Sequence, residues 1–333
     1  MRLGLIARSD RTGLGYQTKA YFDHLKPDKT LVVDISMLNG KGQNFGWYTD
    51  SYLSRGIPST AVLDGFLNDL DVVLTAETPY NYKLYSMARD RGVKTAVVYN
   101  YEFFDWFKYP EYPLPDLLIA PSKWHFKEVD NFAKSKRVKH IYLHHPVDRK
   151  DFPFLLRHTA KPLHIAGNPA AHDRNGTWDF IQAVPNGTVV TQSEDLAKHL
   201  RWRYRNCRVL TNIELSSSMY KLGDVLILPR KYGGNCLPLN EALSCGLPVI
   251  MPDISPNNEL LPKEWLLPAM ITDTFTPRTS IDIYSVQIDA IRDKLKWFED
   301  NDIQEQSRKA DEIAESISWD TLKPKWVEAL ESI

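Results

Sequence analysis

Along the chain, apolar runs of strand length alternate with stretches whose apolar residues recur at helical spacing. Parallel sheets joined by crossover helices produce that alternation, so it predicts an α/β protein. In the first half the predicted strands are Leu3–Ala7, Thr30–Ile35, Val72–Thr75, Thr95–Tyr99, Leu117–Ala120 and His140–Leu143, with helices at Gly15–Leu25, Tyr82–Arg91 and Trp124–Phe132. Around Pro146–Pro162 the pattern lapses into Pro, Arg, Lys and Asp, and a new strand starts at Leu163. The second half predicts strands Leu163–Ala166, Thr188–Val190, Cys207–Leu210, Val225–Leu228 and Pro248–Met251, with helices near Thr177–Ala183, Leu196–Arg201, Ser217–Leu222 and Leu239–Ser244. After Ile281 the pattern is polar and helical. Trp319, Leu322, Trp326 and Leu330 mark a last helix able to pack back on the first domain. The predicted boundaries are 1–155, 162–312 and 313–333.

Length agrees with this division, since 333 residues exceed a typical single core and suit two domains of about 150 residues. The opening apolar run is too short for a signal peptide, and no stretch reaches the roughly 18 apolar residues of a membrane span. A cytoplasmic location is expected, without integral membrane contact. Cys207, Cys236 and Cys245 form no C-x-x-C pair, so neither a disulfide nor a structural zinc is expected. Formal net charge is −1, yet Lys123 to Lys161 holds ten Lys or Arg against four acids, a net +6. That segment reads either as a solvated face with a linker or as a patch for phosphate-bearing ligands.

The densest chemistry lies between Gly223 and Ile250. A buried strand ends at Pro229, a loop with Gly233 and Gly234 lets backbone approach a ligand, and a helix starts near Leu237 with its amides unpaired. Such a start suits phosphate, and Glu241, one turn in, can accept hydrogen bonds from ribose hydroxyls. A strand-loop-helix corner whose acid answers the helix dipole explains the same residues.

The run from Asp224 to Val249 resembles the donor-site motif of the family 4 retaining glycosyltransferases. The resemblance implies the GT-B fold: two Rossmann-like domains, with parallel sheets facing across a cleft, in an α/β protein. It puts Glu241 on the second glutamate of the family's paired motif, a donor-ribose contact, and Gly233 on the first, which usually faces the donor sugar. By the same match the backbone of Gly234, Asn235, Cys236 and Leu237 holds sugar and phosphate. Gly167-Asn-Pro-Ala-Ala-His-Asp-Arg-Asn-Gly176 is similar to the family's diphosphate clamp. Asn168 replaces its first cation, Arg174 or its neighbour Asn175 stands near the second, and Arg230 or Lys231 could compensate. Asn212 and Ile213 match the position that binds the donor base through backbone groups. Gly13 and Gly15 match the first-domain loop that lies across the cleft from the diphosphate.

Glu102 stands where the family's strand ends in a His-Asp pair and could orient or deprotonate an acceptor hydroxyl; a strand-end acid paired with an Arg is the alternative. The implied reaction moves a sugar, hexosyl or pentosyl, from a nucleoside-diphosphate sugar, with a UDP-sugar favoured, to an acceptor hydroxyl. No cofactor is expected beyond that co-substrate. Asp69-Leu-Asp71 and Asp300-Asn-Asp302 sit where neither would hold a metal on the donor.

The opening residues, short chain and missing glutamate also resemble bacteriophage-type glycosyltransferases, some of which decorate hydroxymethylated pyrimidines in DNA. The implied location is then the host cytoplasm. The aromatics Tyr99, Tyr101, Phe103, Phe104, Trp106, Phe107, Tyr109 and Tyr112, and the run Lys198-His-Leu-Arg-Trp-Arg-Tyr-Arg205, could stack on bases and hold phosphates. A saccharide acceptor competes with modified DNA. A nucleotide-sugar-binding protein without turnover remains open, and so does an NAD-dependent dehydrogenase with Asp34 as its ribose-binding acid.

Overall fold

The six strands read from the first half all form, and all join one parallel sheet. A computed structural model describes residues 1–36, 46–211 and 216–333. Strands are numbered β1 Leu3–Ala7, β2 Lys29–Asp34, β3 Tyr52–Arg55, β4 Val72–Glu77, β5 Lys94–Tyr99, β6 Leu117–Ala120 and β7 Lys139–Tyr142. Their order is β3-β2-β1-β4-β5-β6-β7. Helices Gly13–Leu25, Thr60–Leu67, Lys83–Asp90 and Phe126–Lys136 connect them. β1 and β6 are buried along their whole length, as strands covered on both faces must be.

The sequence reading missed β3 and the helix Thr60–Leu67. β3 is an edge strand on which only Ser54 is buried, so it carries no apolar run. The helix did announce itself, through Ser59, whose hydroxyl accepts from the Val62 amide.

A second parallel sheet follows, built from β8 Pro162–Gly167, β9 Thr188–Thr191, β10 Arg208–Leu210, β11 Val225–Ile227, β12 Val249–Pro252 and β13 Leu266–Leu267, in the order β10-β9-β8-β11-β12-β13. Helices Thr177–Ala183, Glu194–Arg203 and Leu237–Ser244 cross over between its strands. The expected helical pattern after Ile281 is corrected: β15 Ile281–Val286 pairs antiparallel with β14 Ala269–Phe275. Ile281 and Ile283 are buried and alternate with polar neighbours, which is period two rather than 3.6. Helices Ile288–Asp300, Ile303–Ser316 and Trp319–Glu331 complete the chain.

Two compact units result. One comprises Met1–His145 with Pro277–Thr279 and Leu322–Ile333; the other comprises Pro146–Thr276 and Ser280–Thr321. Within the first, the Trp326 ring lies 5.0 Å from Tyr21, and its Nε1 donates to the His144 carbonyl. In each sheet the strand order reverses beside the first strand, between β1 and β4 and between β8 and β11. Crevices at such reversals are where open α/β sheets bind ligands.

Candidate functional site

The reversal of the second sheet is pinned by a residue that the sequence did not single out. His164 on β8 is fully buried; its Nδ1 lies 2.8 Å from the Ile227 carbonyl of β11 and its Nε2 2.9 Å from the Thr177 hydroxyl. The carbonyl can only accept, so Nδ1 carries the proton and Nε2 accepts. Burial lowers the ring's pKa to about 4 against the pull of that carbonyl, so His164 is neutral at pH 7 and braces two strands and a helix.

From the end of β8 the chain runs through Gly167, φ +64°, into a tight loop. Asn168 donates to the Gln192 side chain, 2.8 Å away, and Asn175 donates back to the Ala166 carbonyl. The Asp173 carboxylate accepts the amides of Thr177 and Trp178, both at 3.0 Å. The start of the helix Thr177–Ala183 therefore already holds an internal anion. Gly176 must be glycine: its φ is +68°, and a Cβ there would run into the Pro229 carbonyl of the neighbouring loop.

That neighbouring loop, after β11, is built around Arg230. Its guanidinium is buried, Nε donating to the Tyr232 carbonyl at 3.0 Å and Nη2 to the Asn235 carbonyl at 3.0 Å. Tyr232, also missed from sequence, ties the two loops together: its hydroxyl donates to the Ala171 carbonyl, and Arg174 lies over its ring at 5.2 Å. Lys231 pairs with Asp179 at 3.4 Å, and its amide donates to the Arg174 carbonyl.

The consequence is a convergence at Gly233. Its φ is +113°, and a Cβ there would lie 2.5 Å from a guanidinium nitrogen of Arg174 and 2.5 Å from one of Arg230. The space beside this glycine is filled by two cations, so any side chain would displace them. Three residues on, the helix Leu237–Ser244 opens from Cys236 without a side-chain cap and with no acid in its first turn. Thr12, Ser59, Ser193 and Asp302, by contrast, all cap their helices. Gly234, Asn235, Cys236 and Leu237 thus lie between paired guanidinium groups and an uncapped helix start, a set suited to an oxyanion.

Glu241 is half-buried on the same helix and accepts from the hydroxyl of Tyr220, which is fully buried. Burial pushes the Glu241 carboxyl up to about 7, with the Tyr220 hydrogen bond working the other way. Asn212 and Ile213 lie outside the described residues.

In the first unit, Glu102 sits in a single turn, Tyr101–Phe103, and is 5% exposed. The loop between β1 and the helix Gly13–Leu25 is tightly self-bonded. Arg8 and Asp10 form a buried ion pair, and the Thr12 hydroxyl donates to the Asp10 carboxylate. Burial works against the Arg8 charge, but Tyr80 and Asp10 outweigh it and hold the guanidinium above its ordinary value. Gly15 is needed because a Cβ there would strike the Asp10 carbonyl; Gly13 has no neighbour within 4 Å. A dinucleotide's pyrophosphate would meet the Asp10 carboxylate at this helix start, which argues against the dehydrogenase reading.

The aromatic run and the basic segment divide between core and surface. Tyr99, Tyr101, Phe104 and Trp106 are buried, with Tyr99 against Phe104 and Trp106 against Tyr82 and Tyr85, whereas Phe107 is exposed. Most of the basic segment forms a solvated face, and part of it is tied into the structure. Arg157 is buried and donates to the carbonyls of Cys245 and Gly223, Arg149 pairs with Asp311 and Glu315, and Lys134 pairs with Asp130.

Among the described residues no helix is long and apolar enough to cross a membrane. No group of three or more His, Cys, Asp or Glu among them is placed to hold a metal ion.

No protein-family model and no curated protein sequence matches the chain. Solved structures do. HepE of Anabaena, crystallised with UDP, superposes over 100% of both chains with a TM-score of 0.72 at 12% identity. Sucrose-phosphate synthase of Thermosynechococcus elongatus matches over 99% of this chain and 98% of its own, with a TM-score of 0.66 at 12% identity. The pneumococcal O-GlcNAc transferase GtfA, crystallised with UDP and GlcNAc, matches over 82% of this chain with a TM-score of 0.62 at 16% identity. This chain spans 60% of that GtfA chain. These likenesses show the fold: two Rossmann-like α/β units, the GT-B fold of those structures.

Proposed function

We propose that this chain is a glycosyltransferase that holds a nucleoside-diphosphate sugar at the reversal of its second sheet and passes the sugar to an acceptor hydroxyl. The convergence of Arg174 and Arg230 on Gly233, beside the uncapped start of Leu237–Ser244, carries this reading. Two guanidinium groups match the two charges of a diphosphate diester and would stabilise the further charge that develops as the diphosphate departs. A UDP-sugar is favoured, since HepE and GtfA were crystallised with UDP.

In this reading the amides of Gly234 to Leu237 bind phosphate and sugar, and Glu241 accepts from the ribose hydroxyls. Asn212 and Ile213 receive the base, Gly167 and Asn168 shape the floor below the diphosphate, and Lys231 holds the Arg174 loop in place through Asp179. The arginines do the charge neutralisation for which other transferases use a metal, and no cofactor takes part. A retaining course lets the departing phosphate accept the acceptor's proton. An inverting course needs a base, and Glu102 is the candidate. A hydroxymethylpyrimidine in DNA and a saccharide hydroxyl are the two acceptor classes we carry forward, with the protein acting in the cytoplasm.

Thermal denaturation with uridine, guanosine, adenosine and cytidine diphosphates, in the presence of chelator, tests the donor assignment. A ligand at about 100 times its Kd stabilises by about 2.7 kcal/mol, enough to shift a two-domain protein measurably. A selective shift with one diphosphate, lost in Glu241→Ala, is expected. No shift with any of them would overturn the reading.

A further inference from the structure

The run Lys198–Arg205 has no part in the donor site, and the structure gives it a distinct surface. Helix Glu194–Arg203 turns Ala197 and Leu200 inward, fully buried, and Arg201 folds back to donate to the Val209 carbonyl on edge strand β10. Trp202 points outward at 73% exposure, the most exposed of the large hydrophobic side chains described. Around it in the chain stand Lys198, Arg203, Arg205 and Arg208, all exposed, and none makes an ion pair or side-chain hydrogen bond among the described residues. No acid lies between residues 198 and 208.

We propose that this face binds single-stranded nucleic acid, with a base stacked on the Trp202 indole and phosphates held by Arg203, Arg205, Arg208 and Lys198. Removing an indole from water and flanking it with cations suits a flat ring on a phosphate backbone; stacking of this kind is worth about 1–3 kcal/mol per base. Arginine outnumbers lysine three to one among these groups, and its planar fork grips phosphate in two places. A membrane surface fits less well. A helix lying on lipid needs a continuous apolar face, whereas here the apolar stripe is spent on the core and one ring remains.

The proposal does not rest on the assignment of the donor loops. If it holds, the surface would let a polymeric acceptor or template stay bound between turnovers.

The test is fluorescence anisotropy of a short, mixed-sequence single-stranded DNA with the full chain, at several salt concentrations and without donor. Trp202→Ala should weaken binding by about tenfold. Arg205→Ala should weaken it and reduce the slope of log affinity against log salt by about 0.7. Both residues are exposed, so the variants should melt with the parent protein. Absence of binding would overturn the proposal, as would an affinity unchanged in Trp202→Ala. Binding to vesicles of anionic phospholipid with no binding to the oligonucleotide would reassign the face to membrane and equally overturn it.

Discussion

The two sheets of this protein reverse their strand order in the same way, yet the two crevices differ in charge. At the end of β1, Arg8 and Asp10 neutralise each other below the surface, and Thr12 closes the helix start. At the end of β8 and β11, Arg174 and Arg230 converge on the same glycine, and the helix start at Leu237 has no side-chain cap. Topology puts a crevice in both places. The side chains at the two helix starts make the difference the proposed donor site rests on, because a start capped by its own Thr12 hydroxyl offers fewer amides to a ligand than an uncapped one beside two guanidinium groups.

The largest test of that contrast is at the cationic crevice. Arg174→Ala should lower diphosphate affinity by about 10- to 100-fold, the weight of a hydrogen bond to a charged group. Gly233→Ala should do nearly as much by displacing both guanidinium groups, although it alters no charge. Titration calorimetry with the diphosphate selected in the thermal screen measures both. Normal affinity in both variants would break the comparison.

A smaller effect is expected at the neutralised crevice, and on stability rather than binding. Gly15→Ala forces a methyl against the Asp10 carbonyl and should cost about 1–3 kcal/mol, while Gly13→Ala, with open space around it, should be neutral or slightly stabilising. Urea unfolding of the two variants separates these outcomes. Equal losses would mean that both glycines serve backbone conformation rather than close approach.

The smallest effect concerns Glu241. Its carboxyl titrates near 7 in the folded protein and near 4.5 when unfolded, so between those values the folded state binds more protons. Stability from this group is therefore fully present below about pH 4.5, falls as pH rises, and is lost above about 7. Glu241→Gln keeps an acceptor for Tyr220 and removes the ionisation. Its stability to urea relative to the parent should rise between pH 5 and about 7.5 and then level off, by about 1 kcal/mol once screening at a half-buried site is allowed for. A difference flat with pH would mean that the carboxyl is not desolvated.

Local pattern was enough to read β1, β6 and the helix Thr177–Ala183, because a strand buried on both faces or a periodic helix writes its environment into consecutive residues. It failed at β3 and at the β14–β15 hairpin. An edge strand and a ribbon with one exposed strand carry few apolar positions, and their stability comes from partners distant in the chain.

The site divides in the same manner. The order of residues from Asp224 to Val249 was sufficient to propose a phosphate-binding corner at Gly234–Leu237 with Arg230 or Lys231 as a cation, and the run Gly167–Gly176 to propose Arg174 as another. Sequence alone could not bring those two arginines, 56 positions apart, to the same glycine. Nor could it reveal Tyr232 and His164 as the braces that hold the loops, or the bond between Tyr220 and Glu241. Residue order determines which chemistry is available and the local turn that presents it. Which charges meet, and which are cancelled inside the fold, depends on distances through space, and only the tertiary structure decides those.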